Sequence, residues 1–262
     1  LVEGDQETYA VMVKAKAENP EKFRWLLPHP GGWHIMLHLG KAMLVRYYGA
    51  GVESIARQIG ADDKKAAGGG NARRTHHLMT ITWEALMLIV REMYDAAGGK
   101  FRGVDMDLLE WLRDRAKTHV TLRFWTQYLT HDYPFFLAFR MGGRSGNHAL
   151  CVAALREMAP IFAATGKTNY VKLTIDHLST VARMPESDLR TVATLFSTSI
   201  SGKDHTDCFL DENQQMGNRT AKGALTKTTP EYMEKLPRII DDRAKAVEQV
   251  QKHLMARRKE RQ

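Results

Sequence analysis

Pro28-His29-Pro30-Gly31-Gly32-Trp33-His34, running on into Ile35-Met36-Leu37-His38, is the stretch that decides how this chain folds. Two prolines and two glycines forbid regular structure up to Gly32, and an apolar helical pattern opens directly behind them, with Trp33 and His34 in its first turn. A stiff connector followed by a helix start aims a side chain. His34 is therefore aimed either at chemistry or into a packed core.

Working outward on the N-terminal side, Tyr9, Ala10, Val13 and Ala17 share one helical face, which predicts a helix from Asp5 to about Ala17 with Asp5 as N-cap. Asn19-Pro20 ends it. The apolar run Phe23 to Leu27 reads as a buried strand, and Leu1-Val2-Glu3-Gly4-Asp5 as the end of another strand entering a functional turn. Because the first residue is Leu rather than Met, that beginning predicts a fragment of a longer protein. Strand, helix and strand within about thirty residues mark an α/β layer.

On the C-terminal side, residues 33–48 read as a strong helix stopped by Gly49 and Gly51. A further helical turn or two follows at 52–59. Residues 61–74, containing Gly68-Gly69-Gly70, are the most loop-like segment. A long helix at 75–97 is closed by Gly98-Gly99, and helices follow at about 105–131, 133–141, 146–164, 168–182 and 186–198, with Pro160 expected to kink or divide its helix. Residues 211–222 read as a polar helix with a weak point at Gly217. A last helix opens at Thr229-Pro230-Glu231 and runs basic into Arg257-Arg258-Lys259.

The totals bound the class. At 262 residues and 44% apolar, the chain has enough to bury a large core, as one large domain or two small ones. No apolar run approaches the ~18 residues of a membrane span, and no secretory signal pattern opens the chain. Cys151 and Cys208 are far apart with no CxxC, which argues against a disulfide framework or zinc knuckle and points to a reducing, intracellular setting. The net charge of +8 is concentrated at the end, where residues 219–262 hold twelve Lys/Arg against six Asp/Glu. Nucleic acid is the commonest partner for such an end, and a solvated helix face is the plain alternative.

Carboxylates at a strand end or helix start can converge on Mg²⁺, which polarises a phosphodiester and activates water. Asp5 and Glu212 stand in such places, and both also suit ordinary caps and helix starts. Lys222, ten residues beyond Glu212, is placed to meet a phosphate. His34 and His38, four apart, share a helical face as two imidazoles on one metal would, but Ile35 stands where HExxH needs its glutamate. The alternatives are a histidine orienting a carboxylate or phosphate, or a core histidine with satisfied nitrogens. Gly68-Gly69-Gly70-Asn71-Ala72-Arg73-Arg74 lacks the GK[ST] of a phosphate loop, and Met141-Gly142-Gly143-Arg144-Ser145-Gly146-Asn147 reads as a turn carrying an arginine that is either DNA-facing or simply part of the turn. No GxSxG pattern is present.

With these residues assembled, the chain resembles a transposon-associated eukaryotic domain of unknown function that is itself similar to DDE transposases with a ribonuclease H-like core. Gly4-Asp5-Gln6, Pro30-Gly31-Gly32-Trp33-His34, Arg144-Ser145-Gly146-Asn147, Ala153-Ala154-Leu155, Met158-Ala159-Pro160, Thr168-Asn169-Tyr170 and the stretch from Asp211 to Lys222 carry the resemblance, across nearly the whole chain. It implies an α+β, predominantly α fold: a partial ribonuclease H-like core (1–48 and 205–228), a long all-helical insertion (49–204) and a basic C-terminal helix (229–262). It implies that Asp5 and Glu212 hold Mg²⁺ (or Mn²⁺) and that His34 positions the catalytic site. Arg219, Lys222, Arg257, Arg258 and Lys259 would then meet DNA in the nucleus, with a second copy of the chain as a further candidate partner. The family's late catalytic Glu falls here on Gln214 or Gln215, with Glu212 one turn earlier. The first catalytic Asp has no counterpart in this chain. The rival reading is a non-catalytic helical module that binds DNA or protein.

Overall fold

The computed structural model describes residues 1–60, 72–199 and 207–216. Strand β1 (Val2–Gly4) leads through helix α1 (Gln6–Glu18) to β2 (Pro28–Pro30), which pairs with β1 in parallel, Glu3 opposite His29. Asp5 caps α1, its Oδ1 accepting the Thr8 amide at 2.9 Å. The strand expected over 23–27 is instead a set of turns, with Leu26 buried and Trp25 exposed. The pairing moves into the stretch the prolines were expected to keep irregular. At the two ends of the pair the Val2 and Gly31 amides add bonds to the Leu27 and Gly4 carbonyls. Pro28 and Pro30 therefore sit on an edge strand, where the missing N–H of proline costs little.

Helix α2 (Gly32–Tyr47) follows, then a 3₁₀ turn (Tyr48–Ala50), α3 (Val52–Gln58) and the 25-residue α4 (Ala72–Ala96). A short hairpin, β3 (Lys100–Phe101) and β4 (Val104–Asp105), interrupts what the sequence reads as purely helical. Gly98, Gly99 and Gly103 take positive φ around it. The single helix expected over 105–131 divides at His119, which ends α5 (Leu108–Thr118) and caps α6 (Val120–Gln127). A π turn (Tyr128–Asp132) runs into α7 (Tyr133–Arg144), and α8 (His148–Ala164), α9 (Thr168–Arg183) and α10 (Glu186–Leu195) complete the helical part. Pro160 lies inside α8 without dividing it.

The chain then returns. β5 (Ser197–Thr198) pairs antiparallel with β6 (Cys208–Phe209), and a helix, α11, opens over 210–216. Among the described residues the strands form only two-stranded sheets. The fold is thus predominantly helical, and a multistranded ribonuclease H-like sheet is not part of what is described. One apolar cluster runs from Tyr9 and Met12 of α1 through α2 and the later helices to Phe209. Buried Asp132 fastens α2 to the helices through Tyr47 Oη at 2.7 Å and Arg46 at 3.3 Å. No described helix is long and apolar enough to cross a membrane. The glycine run at 68–70 and the basic residues Arg219, Lys222, Arg257, Arg258 and Lys259 lie outside the described residues.

Candidate functional site

Helix α2 begins without a cap of its own, since its N-cap residue is Gly31. The carboxylate that serves the role comes from Asp211, 178 residues from Trp33. Its Oδ1 accepts the Trp33 amide at 3.0 Å, and its Oδ2 accepts the His34 amide at 3.1 Å. Oδ2 also lies 2.9 Å from His34 Nδ1, which donates to it. A carboxylate on the free amides of a helix start is favoured by both hydrogen bonding and the helix dipole. The two glycines make the approach feasible: a Cβ on Gly31 would lie 2.1 Å from Asp211 Oδ2, and one on Gly32 would lie 2.2 Å from the Phe209 ring. The stretch read as a connector is a slot into which residues 209–211 fit.

Behind this contact the polar column continues inward. The Asp211 amide donates to Glu3 Oε2 at 3.2 Å, and Glu3 Oε1 lies 2.8 Å from His29 Nδ1. Burial, followed by the Asp211 charge, pushes the Glu3 carboxyl well above the ordinary range.

In front of it lies an open cleft of about 410 Å³, lined by Asp5, His34, His38, Lys167 and Tyr170 among others. Asp5 is held below its usual pKa chiefly by the Thr8 amide, with His34 adding to the effect. His38 stacks on Tyr170 with ring centroids 4.0 Å apart. Burial, then Lys41 and Lys167, lowers the His38 pKa from 6.5 to about 4. The folded state therefore binds fewer protons than the unfolded chain between these values. This share of stability is complete above about pH 6.5 and is lost as pH falls towards 4. Urea unfolding measured between pH 7 and 4 is expected to show His38→Gln removing about one proton from the pH dependence of stability over that window.

A second cavity, of about 360 Å³, opens beside the first turns of α2 and is lined by Trp33, Arg73, His76, Arg140, Arg144 and Glu212. Arg140 and Arg144 are one turn apart on α7. Burial, with the neighbouring Arg144 charge second, lowers the Arg140 pKa. Glu212 is raised by burial and by Asp211, and drawn back by Arg144 and Arg140.

The expected residues are thus distributed. Asp5 and His34 share the open cleft, and His34 orients and is oriented by a carboxylate, but that carboxylate is Asp211 and not Glu212. Glu212 faces the arginine cavity. His34 and His38 flank one cleft without pairing on a common ligand, since each has a different partner. Arg144, read at sequence level as part of a turn, is the last residue of α7 and lines the arginine cavity. Asp211, Glu3, Arg140 and the buried His29 were not singled out by the sequence. The one local signal for Asp211 was the lack of any capping side chain before Trp33. No family model, curated protein or solved structure matches this chain.

Proposed function

We propose that this chain is a DNA-binding remnant of a DDE-type transposase, and that the cavity lined by Arg73, Arg140 and Arg144 receives the phosphate backbone. The observation that carries the reading is Arg140. It is a guanidinium taken partly out of water, beside a second arginine, in a cavity whose acidic lining residue is Glu212. Desolvated like charges are unfavourable until an anion joins them, and a planar guanidinium pair suits a phosphate. The basic surplus in 219–262 adds long-range attraction of the same sign.

The ancestry is supported by the order of parts. A parallel β1–α1–β2 unit places Asp5 just past a strand end, a long run of helices follows, and the chain then returns to set Phe209 and Asp211 against Gly31–His34. The carboxylates as arranged do not fit a two-metal centre. Both oxygens of Asp211 already accept hydrogen bonds, Glu212 faces arginines, and Asp5 opens into the other cavity. On this reading the chain binds DNA without cutting it.

Fluorescence anisotropy with a labelled duplex tests both parts. Arg140→Ala/Arg144→Ala is expected to weaken binding about equally on unrelated sequences and to reduce the slope of log K against log salt by about two. An unchanged slope sinks the phosphate assignment. Nicking in Mg²⁺ or Mn²⁺ that disappears in Asp5→Ala would overturn the non-cutting reading.

A further inference from the structure

Three histidines meet in the interior, none of them part of either cavity. His29 comes from the middle of β2, His148 is the first residue of α8, and His177 lies in the second half of α9. Each is 5% exposed. One ring nitrogen from each lies within 4.8 Å of the other two. The rings of His29 and His177 meet edge to face at 4.9 Å, and those of His29 and His148 are tilted at 5.6 Å. Both ring nitrogens of His29 and Nε2 of His148 are buried without any hydrogen-bond partner. Buried polar atoms almost always have a partner, so three such atoms in one cluster call for an explanation.

We propose that His29, His148 and His177 form a buried site for one zinc-type divalent transition metal, which ties β2 to α8 and α9. Three imidazoles are a recurrent ligand set for such ions, and nitrogens around a tetrahedral zinc stand roughly 3.3 Å apart, given Zn–N distances of about 2.0–2.1 Å. The observed spacing, within 4.8 Å, has to close by up to about 1.5 Å to reach this. A carboxyl group also stands beside His29, Glu3 Oε1 lying 2.8 Å from its Nδ1 without a hydrogen bond formed between them. A carboxylate behind a ligating histidine fixes its tautomer and raises its basicity. Neutral imidazole is the form that binds metal, and here burial keeps it so, with His29 and His148 both lowered to about 4. Among the described residues no further His, Cys, Asp or Glu joins the group, which leaves the fourth position to water or another oxygen. Thr174, one turn before His177 on α9, carries a fully buried hydroxyl with no partner. The site joins the strand pair to the helical part, and its dependence on metal is independent of whether the chain binds DNA.

The test uses the full chain, expressed with zinc in the medium and assayed by elemental analysis. About one zinc per chain is expected, with His148→Gln and His177→Gln each falling below about 0.1 equivalent. These variants can fail to fold, so the wild type supplies the second arm. Stripped with a chelator and titrated with Zn²⁺ or Co²⁺, it is expected to gain thermal stability, and Co²⁺ to give the visible absorption of a four-coordinate site. Glu3→Gln is expected to keep the stoichiometry and weaken zinc binding by about 10–100-fold. The proposal is overturned if stripped and zinc-treated wild type unfold at the same temperature. It is equally overturned if His148→Gln or His177→Gln folds and retains a full equivalent.

Discussion

Asp211→Ala is expected to destabilise the protein by about 3–5 kcal/mol, the range for removing one member of a buried, hydrogen-bonded charged set. Three donors lose their acceptor together: the Trp33 and His34 amides and His34 Nδ1. Hydrogen bonds to a charged group are each worth about 1.5–3 kcal/mol, and unpaired buried donors add their own penalty. One effect runs the other way. Asp211 raises the pKa of Glu3, so its removal relieves part of that repulsion. The relief is smaller, because burial and not Asp211 is the leading cause of the Glu3 shift. Asp211→Asn keeps a single carbonyl acceptor and is expected to fall between. Glu212→Gln, next along the chain and facing the arginine cavity, is expected to cost less than about 1 kcal/mol. Urea denaturation of the three variants checks the order, and equal losses for residues 211 and 212 would contradict it.

Gly32→Ala is the second large effect, and its sign is opposite to what helix propensity alone gives. In a helix, alanine is favoured over glycine by roughly 1 kcal/mol. Here the new Cβ would lie 2.2 Å from Phe209 Cδ1 and 2.5 Å from Cε1, so the ring or the helix has to move. Overpacking of this kind costs about 1–3 kcal/mol, and Phe209 has little room to yield. The same ring already covers Gly143, where a Cβ would come within 2.4 Å, and it stacks on Phe139 at 5.4 Å. A net loss of about 1–2 kcal/mol is expected, read as a fall in Tm of several degrees. Gly49→Ala, with no heavy atom within 4 Å of its Cβ, is the matched control and is expected to be neutral or slightly stabilising. Combining Gly32→Ala with Phe209→Ala tests the cause. The double variant is expected to lose less than the sum of the two, since the second change removes the atoms with which the first collides.

Helices were legible wherever burial repeated every three or four residues over several turns, as at Ile35, Leu39, Ala42 and Met43 of α2. Asp5 as N-cap was equally readable, because a cap acts on an amide three residues away. The reading failed where the decisive partner is distant. Phe23 to Leu27 had the composition of a strand, yet pairing with Val2–Gly4 is set by the parallel register, which places Pro28–Pro30 opposite them. The division at His119 turns on a side chain choosing to cap, a choice that apolar spacing does not encode. At the candidate site, His34 draws notice because it opens a helix, whereas nothing local sets Asp211 apart from its neighbour Glu212. Adjacent acids look alike in sequence, and here a single step along α11 turns one towards α2 and the other towards the arginines. His148 and His177 carry no motif spacing with His29, and only the packing of α8 and α9 against β2 brings them together.

The remote capping of α2 also has a consequence in time. During synthesis the helix start emerges long before residue 211. At roughly 5–20 residues per second, the Trp33 and His34 amides wait on the order of ten to thirty seconds for their acceptor. Once Phe139 has been made, it in turn lacks the ring that will stack on it until Phe209 follows. A ribosome stalled before Cys208 would hold a nascent chain with an unsealed groove at its centre, a natural point of engagement for chaperones.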